Sequence, residues 1–220
     1  MSGTRSYRQQ CGLARALDVL GERWTILVLR EMAMGPRRYK DLLDSLTGIG
    51  TNLLAERLRT LEVAGVIRSV LLPPPASVRA YELTEFGEQL RPILSQLAVW
   101  GLALPLDERA ESRASWTLMI MGAMADPDKV GALNAIVELH VGDEVMWVYT
   151  DNDGAQLRFG PAAIAPDLII ETDVQTFTGL AEGRLSPTQE LNNGSVAAQG
   201  DRKLLTKFFR TFRLPQPSDT

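Results

Sequence analysis

Residues 48–65, GIGTNLLAERLRTLEVAG, sort their apolar and polar positions onto opposite sides of one helix. Leu54, Leu58 and Leu61 recur at spacings of four and three, so they stack along one side. Asn52, Glu56 and Arg59 take the other side, with Thr51 and Ala55 at its leading edge. Just upstream, Tyr39, Leu42, Leu43 and Leu46 make a shorter amphipathic helix, and Thr47-Gly48-Ile49-Gly50 is a tight turn between the two. Two helices joined in this way form a helix-turn-helix, whose second helix enters a DNA major groove with its N-terminal side chains leading.

The flanking sequence extends this unit. Residues 11–34 are helical in pattern, through Leu13, Ala16, Leu17 and Leu20 and then Trp24, Leu27, Val28 and Leu29. Gly21 marks a break between two helices, because glycine is poor in a helix interior. Gly35-Pro36 ends the stretch, and the helix pair is expected at 37–46 and 51–64, with Gly65 as the stop. A strand at 66–72, a loop of Pro73-Pro74-Pro75-Ala76-Ser77 and a return strand at 78–83 follow. A hairpin in that place is the wing of a winged helix, and its prolines stiffen the loop and blunt edge pairing. Thr84 caps a helix predicted to run to about Leu104, with Pro92 placing a kink or break near Arg91. Phe86, Leu90, Ile93, Leu97 and Trp100 repeat along it at 4-3-4-3 spacing, a seam that calls for a partner helix. A small winged domain has little spare surface to cover it, so a second copy is expected.

Charge is distributed unevenly along the chain. Residues 1–79 carry 12 Lys/Arg against 7 Asp/Glu, whereas residues 80–220 carry 11 against 20. A basic part joined to an acidic one suits a nucleic-acid reader fused to something that should stay off DNA. The charged stretch 106–113, LDERAESR, serves as linker, giving domains at 1–106 and 107–220. Beyond it, 116–124 reads as a buried helix and Asp126-Pro127-Asp128 as a turn. Strand-like runs follow at 135–141, 144–150, 156–160 and 168–172, the first three separated by good hairpin turns. Asp173 caps a helix bearing Phe177 and Leu180, Ser186-Pro187 starts another, 195–199 is a short strand, and 201–212 is a final helix. The fold class is therefore α+β: a winged helix-turn-helix, then an antiparallel sheet with helices on one side.

The chemistry-bearing residues narrow the function. Thr51, Asn52, Ala55, Glu56 and Arg59 form the exposed reading face, where Asn and Arg suit adenine and guanine edges and Glu suits cytosine N4. Arg37, Arg38 and Lys40, at and after the start of the preceding helix, suit phosphates, and Arg79 does so at the wing base. Arg57 lies toward the flank of the apolar face and is equally suited to an ion pair. One cysteine excludes an internal disulfide framework and a multi-Cys zinc site, and one histidine leaves no Ser-His-Asp or Cys-His candidate independent of His140. His140 reads as a half-exposed strand residue, and Asp151, Asp153, Glu171 and Asp173 as turn residues that miss the EF-hand spacing. No catalytic residue, metal or cofactor is indicated. In the second half, Met119, Met121, Met124, Met146, Trp147, Phe177, Phe208 and Phe209 either line a cavity for a hydrophobic effector or simply fill a core. With no signal sequence and no apolar run near 18 residues, a cytoplasmic location is expected.

Residues 11–104 resemble the HxlR family of bacterial winged-helix regulators. The resemblance rests on Cys11 with Ala14-Arg15-Ala16-Leu17, Gly21-Glu22-Arg23-Trp24-Thr25, Leu29-Arg30-Glu31 and Gly35-Pro36-Arg37-Arg38-Tyr39. Leu53-Leu54, Arg57-Leu58, Leu61-Glu62, Ala64-Gly65, Tyr81-Glu82-Leu83-Thr84 and Gly87 continue it, and Gly12 departs from the family's usual proline. The resemblance implies a homodimeric regulator, often a repressor, on a palindromic operator. It also implies that Cys11 can sense oxidants or electrophiles, the alternative being a buried apolar cysteine. Residues 115–214 resemble the sterol-carrier-protein-2-like fold through the successive strands, Ala165-Pro166-Asp167-Leu168, Gly179-Leu180, Gly183-Arg184-Leu185, Asn193-Gly194-Ser195-Val196 and the aromatic last helix. That resemblance implies an apolar cavity for a lipid-like ligand. The expected function is a DNA-binding regulator, with a hydrophobic-ligand carrier that dimerises through its winged domain as the alternative.

Overall fold

A computed structural model describes residues 6–73, 77–105 and 110–214. The chain packs as two units, Met1–Leu94 and Ser95–Thr220. The first contains α1 (Gly12–Leu20), α2 (Thr25–Met32), β1 (Arg37–Arg38), α3 (Tyr39–Ser45), α4 (Thr51–Val63), β2 (Ile67–Leu71), β3 (Arg79–Leu83) and α5 (Glu85–Glu88). The division falls within α6 (Leu90–Gly101).

The leucine spacing of α4 fixes its buried side. Leu54, Leu58 and Leu61 pack among Val28, Leu29 and Met32 of α2 and Leu42 of α3. Each such burial contributes about 1.5–3 kcal/mol. The turn before α4 needs glycine at position 48, where φ is +94°. β2 and β3 pair antiparallel from Ile67 opposite Leu83 to Leu71 opposite Arg79, forming the wing. The expected loop residues Pro74, Pro75 and Ala76 lie outside the described residues.

Two local expectations need correction. Arg37 and Arg38 do not open the helix at 37–46: they pair with Tyr81 and Ala80 as an edge strand, giving sheet order β1-β3-β2. α3 then starts at Tyr39, where the Arg38 N–H donates to the Asp41 carboxylate at 3.1 Å. The predicted single helix after Thr84 is divided at Gln89 rather than near Arg91. Thr84 does cap α5, its Oγ1 accepting from the Gly87 N–H. A Cβ at Gly87 would lie 2.0 Å from the Val66 carbonyl oxygen, so only glycine lets α5 approach the residue leading into β2 this closely. Pro92 sits in the first turn of α6, where its missing N–H costs nothing.

The second unit contains α7 (Ala114–Met124), α8 (Pro127–Leu133), β4 (Ile136–Val141), β5 (Glu144–Asp151), β6 (Gly154–Phe159), β7 (Leu168–Thr172), α9 (Val174–Ala181), α10 (Pro187–Asn193), β8 (Val196–Gly200) and α11 (Lys203–Thr211). The residues expected as a turn at 126–128 instead open α8, with Asp126 as N-cap and Pro127 at its start. The linker residues 106–109 lie outside the described residues. The five-stranded sheet has order β6-β5-β4-β7-β8. It is antiparallel except between β4 and β7, which run parallel with Val137 opposite Leu168. That pair forms because the chain leaves β6 at one edge and crosses over β5 and β4 through residues 160–167. Asp167 closes the crossover on β4: its N–H donates to the Ile136 carbonyl and its carboxylate accepts from the Ile136 N–H, both at 2.8 Å. Val137, Leu139, Val141, Met146 and Val148 bury one face, whereas Ile136, His140, Trp147 and Tyr149 alternate onto the other.

Candidate nucleic-acid interface

α4 offers its polar side to solvent. Thr51, Asn52, Glu56 and Arg59 are exposed and Ala55 is half-buried. The Tyr39 hydroxyl of α3 donates to the Thr51 carbonyl at 2.8 Å, fixing the leading turn of α4 against its partner helix. Arg38 and Lys40 are exposed at the start of α3, and Arg79 is exposed as the first residue of β3, beside the wing loop rather than at the wing base.

Arg37 stands apart from this group. Its side chain is only 15% exposed and lies 3.9 Å from Glu31, whose own side chain is 2% exposed and also holds Arg30 at 2.7 Å. The half-buried Arg37 guanidinium thus faces that buried carboxylate across β1 and α2 rather than standing free in solvent. Arg57 takes the ion-pair alternative: it is buried, with Glu22 at 3.2 Å and Glu56 at 3.4 Å. Arg68 of the wing, which the motif reading passed over, is exposed and paired with Glu82 at 2.7 Å. The hairpin register that sets Arg68 opposite Glu82 is the signal that locates it.

The expected dimer seam is bare. Phe86, Ile93, Leu97 and Trp100 are 61%, 60%, 44% and 64% exposed, whereas Leu90 packs against the first-unit core. Leu13 on α1 is 69% exposed as well. Cys11 is exposed at the N-cap of α1. Hydrogen bonds from the backbone of Ala14 and Leu13 hold its thiol below the ordinary cysteine range, favouring thiolate.

The residues named for a C-terminal cavity divide. Met146 is buried on the helix-facing side of β5, and Met119 of α7 is half-buried. Phe177 and Phe209 meet edge to face at 5.9 Å, and Phe208 meets Phe209 at 5.2 Å. Those three rings fill space against one another, with Met121 also buried and Met124 half-buried on α7. Trp147 is separated from the set, because strand alternation turns it to the opposite sheet face from Met146. On that outer face His140 contacts Glu138 at 2.6 Å, and Glu138 also accepts the Ala162 N–H of the crossover at 2.7 Å. Among the described residues, no group of three His, Cys, Asp or Glu is arranged to hold a metal ion.

Residues 19–106 match the HxlR-like helix-turn-helix family model. The HTH-type transcriptional regulator YkvN of Bacillus subtilis is 36% identical over 102 residues, which cover 46% of this chain and 86% of YkvN. The chain belongs to the HxlR-like family. YodB, an HTH-type transcriptional regulator of B. subtilis, is 32% identical over 86 residues, or 39% of this chain and 77% of YodB. An HTH-type regulator of Synechocystis is 40% identical over 84 residues, or 38% of this chain and 62% of the relative's length. Residues 120–213 match the SCP-2 sterol transfer family, so this HxlR-like chain carries a second module beyond its winged helix. Its described helices include none long and apolar enough to cross a membrane.

Proposed function

We propose that this chain is a cytoplasmic, homodimeric repressor that reads a palindromic DNA operator and responds to a hydrophobic small molecule in its second unit. The observation that carries the reading is the exposed face of α4, held in place by a fully buried leucine spine and by Tyr39. Asn52 and Arg59 reach adenine and guanine edges, and Glu56 accepts from cytosine. Arg38, Lys40 and Arg79 contact phosphates and set the register. The bare seam of Phe86, Ile93, Leu97 and Trp100 supports pairing of two copies, which places two α4 helices in successive major grooves.

Repression follows from occupying promoter DNA. An effector acts only through different affinity for the DNA-competent and DNA-incompetent arrangements. The SCP-2 match over 120–213 supports a lipid-like effector, and Cys11 offers a separate, thiol-based input. Mapping bound sites across the genome, with and without candidate apolar ligands, tests the reading. A palindrome lost on ligand addition supports it. Lipid transfer between vesicles with no sequence-selective DNA binding supports the carrier alternative instead.

A further inference from the structure

Arg57 is carried by the reading helix α4, yet it faces neither solvent nor the leucine core. It is 8% exposed, and its guanidinium spans three acceptors. Nε donates to the Arg23 carbonyl at 3.2 Å, Nη2 to the Glu22 carboxylate at 3.2 Å, and Nη1 to the Glu56 carboxylate at 3.4 Å. Glu22 and Arg23 belong to the short junction between α1 and α2. Trp24, the next residue, holds φ at +79°, a left-handed conformation rare for a side chain of its size. Its ring meets the turn ahead of α4: a Cβ at Gly48 would sit 3.9 Å from it. Arg23 lies over the same ring at 5.5 Å.

The junction therefore meets the reading unit at two points, at the turn that precedes α4 through Trp24 and on the body of α4 through Arg57. We infer that Arg57 is a positioning residue for base reading: it locks the rotation of α4 and the side-chain direction of Glu56 without contacting DNA. The fork geometry of arginine is what permits one side chain to hold a carbonyl and two carboxylates at once. The clamp also ties α4 to α1, the helix that carries Cys11 and the exposed Leu13. This inference rests on the DNA-reading proposal above.

The test uses the full chain, a duplex that it selects from a random-sequence pool, and a random duplex of equal length, titrated across salt. Arg57→Gln is expected to weaken the selected duplex about tenfold or more, the cost of a misread base pair. Binding to random duplex and the salt slope stay as in the wild type, because no phosphate contact is lost. A slope shallower by about 0.9 would assign Arg57 to a phosphate instead and overturn the inference. Equal losses on both duplexes, in step with thermal unfolding, would reduce Arg57 to a structural residue. Arg57→Lys recovers part of the discrimination, since one ammonium cannot span three acceptors. Glu22→Gln, at a side chain 57% exposed, changes the clamp without burying anything new and shifts discrimination in the same direction by less. If Arg57→Gln does not fold and Glu22→Gln discriminates as well as wild type, the inference fails. A wild-type chain that selects no sequence at all fails the DNA-reading proposal, not the clamp.

Discussion

Arg59 and Cys11 carry the two most local predictions. Arg59→Ala removes an exposed side chain from the reading face and no core packing. It should cost about 1–3 kcal/mol on the operator while leaving random DNA nearly unaffected, as read by fluorescence anisotropy on both duplexes. Equal losses would refute base reading. Cys11 should alkylate with a pH midpoint below that of a free cysteine, because backbone N–H groups stabilise its thiolate. Rising pH through the lowered value creates the nucleophile, so the rate climbs earlier than in an unfolded control. If Cys11→Ser leaves release of DNA by diamide unchanged, the thiol is not the sensor. Exposure of the α4 face was legible in sequence because helical periodicity alone sorts Leu54 from Asn52. The fate of Arg37 was not, because the buried Glu31 that claims it lies on a different element.

At the scale of elements, the helix and strand pattern was readable wherever period and cap agreed. The wing, α4, α9 and the final helix all follow from local signals. Long-range pairing was the hidden part. β1 is two residues long and exists only because β3 offers its edge, and the parallel β4–β7 pair depends on a crossover that no local pattern announces. Pro92 was legible as a helix perturbation, but the close approach of Gly87 to Val66 puts the break earlier. The seam makes its own prediction. Leu97→Glu or Trp100→Glu should leave the first-unit core intact, since both side chains are already exposed. If the seam pairs two copies, sedimentation should show these variants as monomers where the wild type is a dimer, with melting temperature little changed. A dimer that survives both substitutions would place the self-contact elsewhere.

For the whole molecule, the charge division and the two modules were visible in composition, whereas the anchoring of the crossover was not. Burial works against the ionised form of Glu138, but hydrogen bonds from His140 and the Ala162 N–H, with the attraction of His140, outweigh it and hold its carboxyl below the ordinary range. A depressed carboxyl stabilises the fold above its unfolded pKa, and that contribution is lost as pH falls through the folded value. Acid titration of the melting temperature should therefore be shallower in Glu138→Gln than in wild type below the ordinary glutamate range. Identical acid profiles would show that Glu138 contributes no pH-dependent stability.

Two copies of α4 reading one DNA site would fix both the stoichiometry and the sequence preference of binding. The direct measurement is the affinity and stoichiometry of the full chain on its selected duplex across a salt series. Two chains per duplex are expected, with log affinity falling by about 0.9 per phosphate contact for each tenfold rise in salt, and a large preference over random DNA that Arg59→Ala reduces by about 1–3 kcal/mol. One chain per duplex, or equal affinity for selected and random DNA, would contradict that reading.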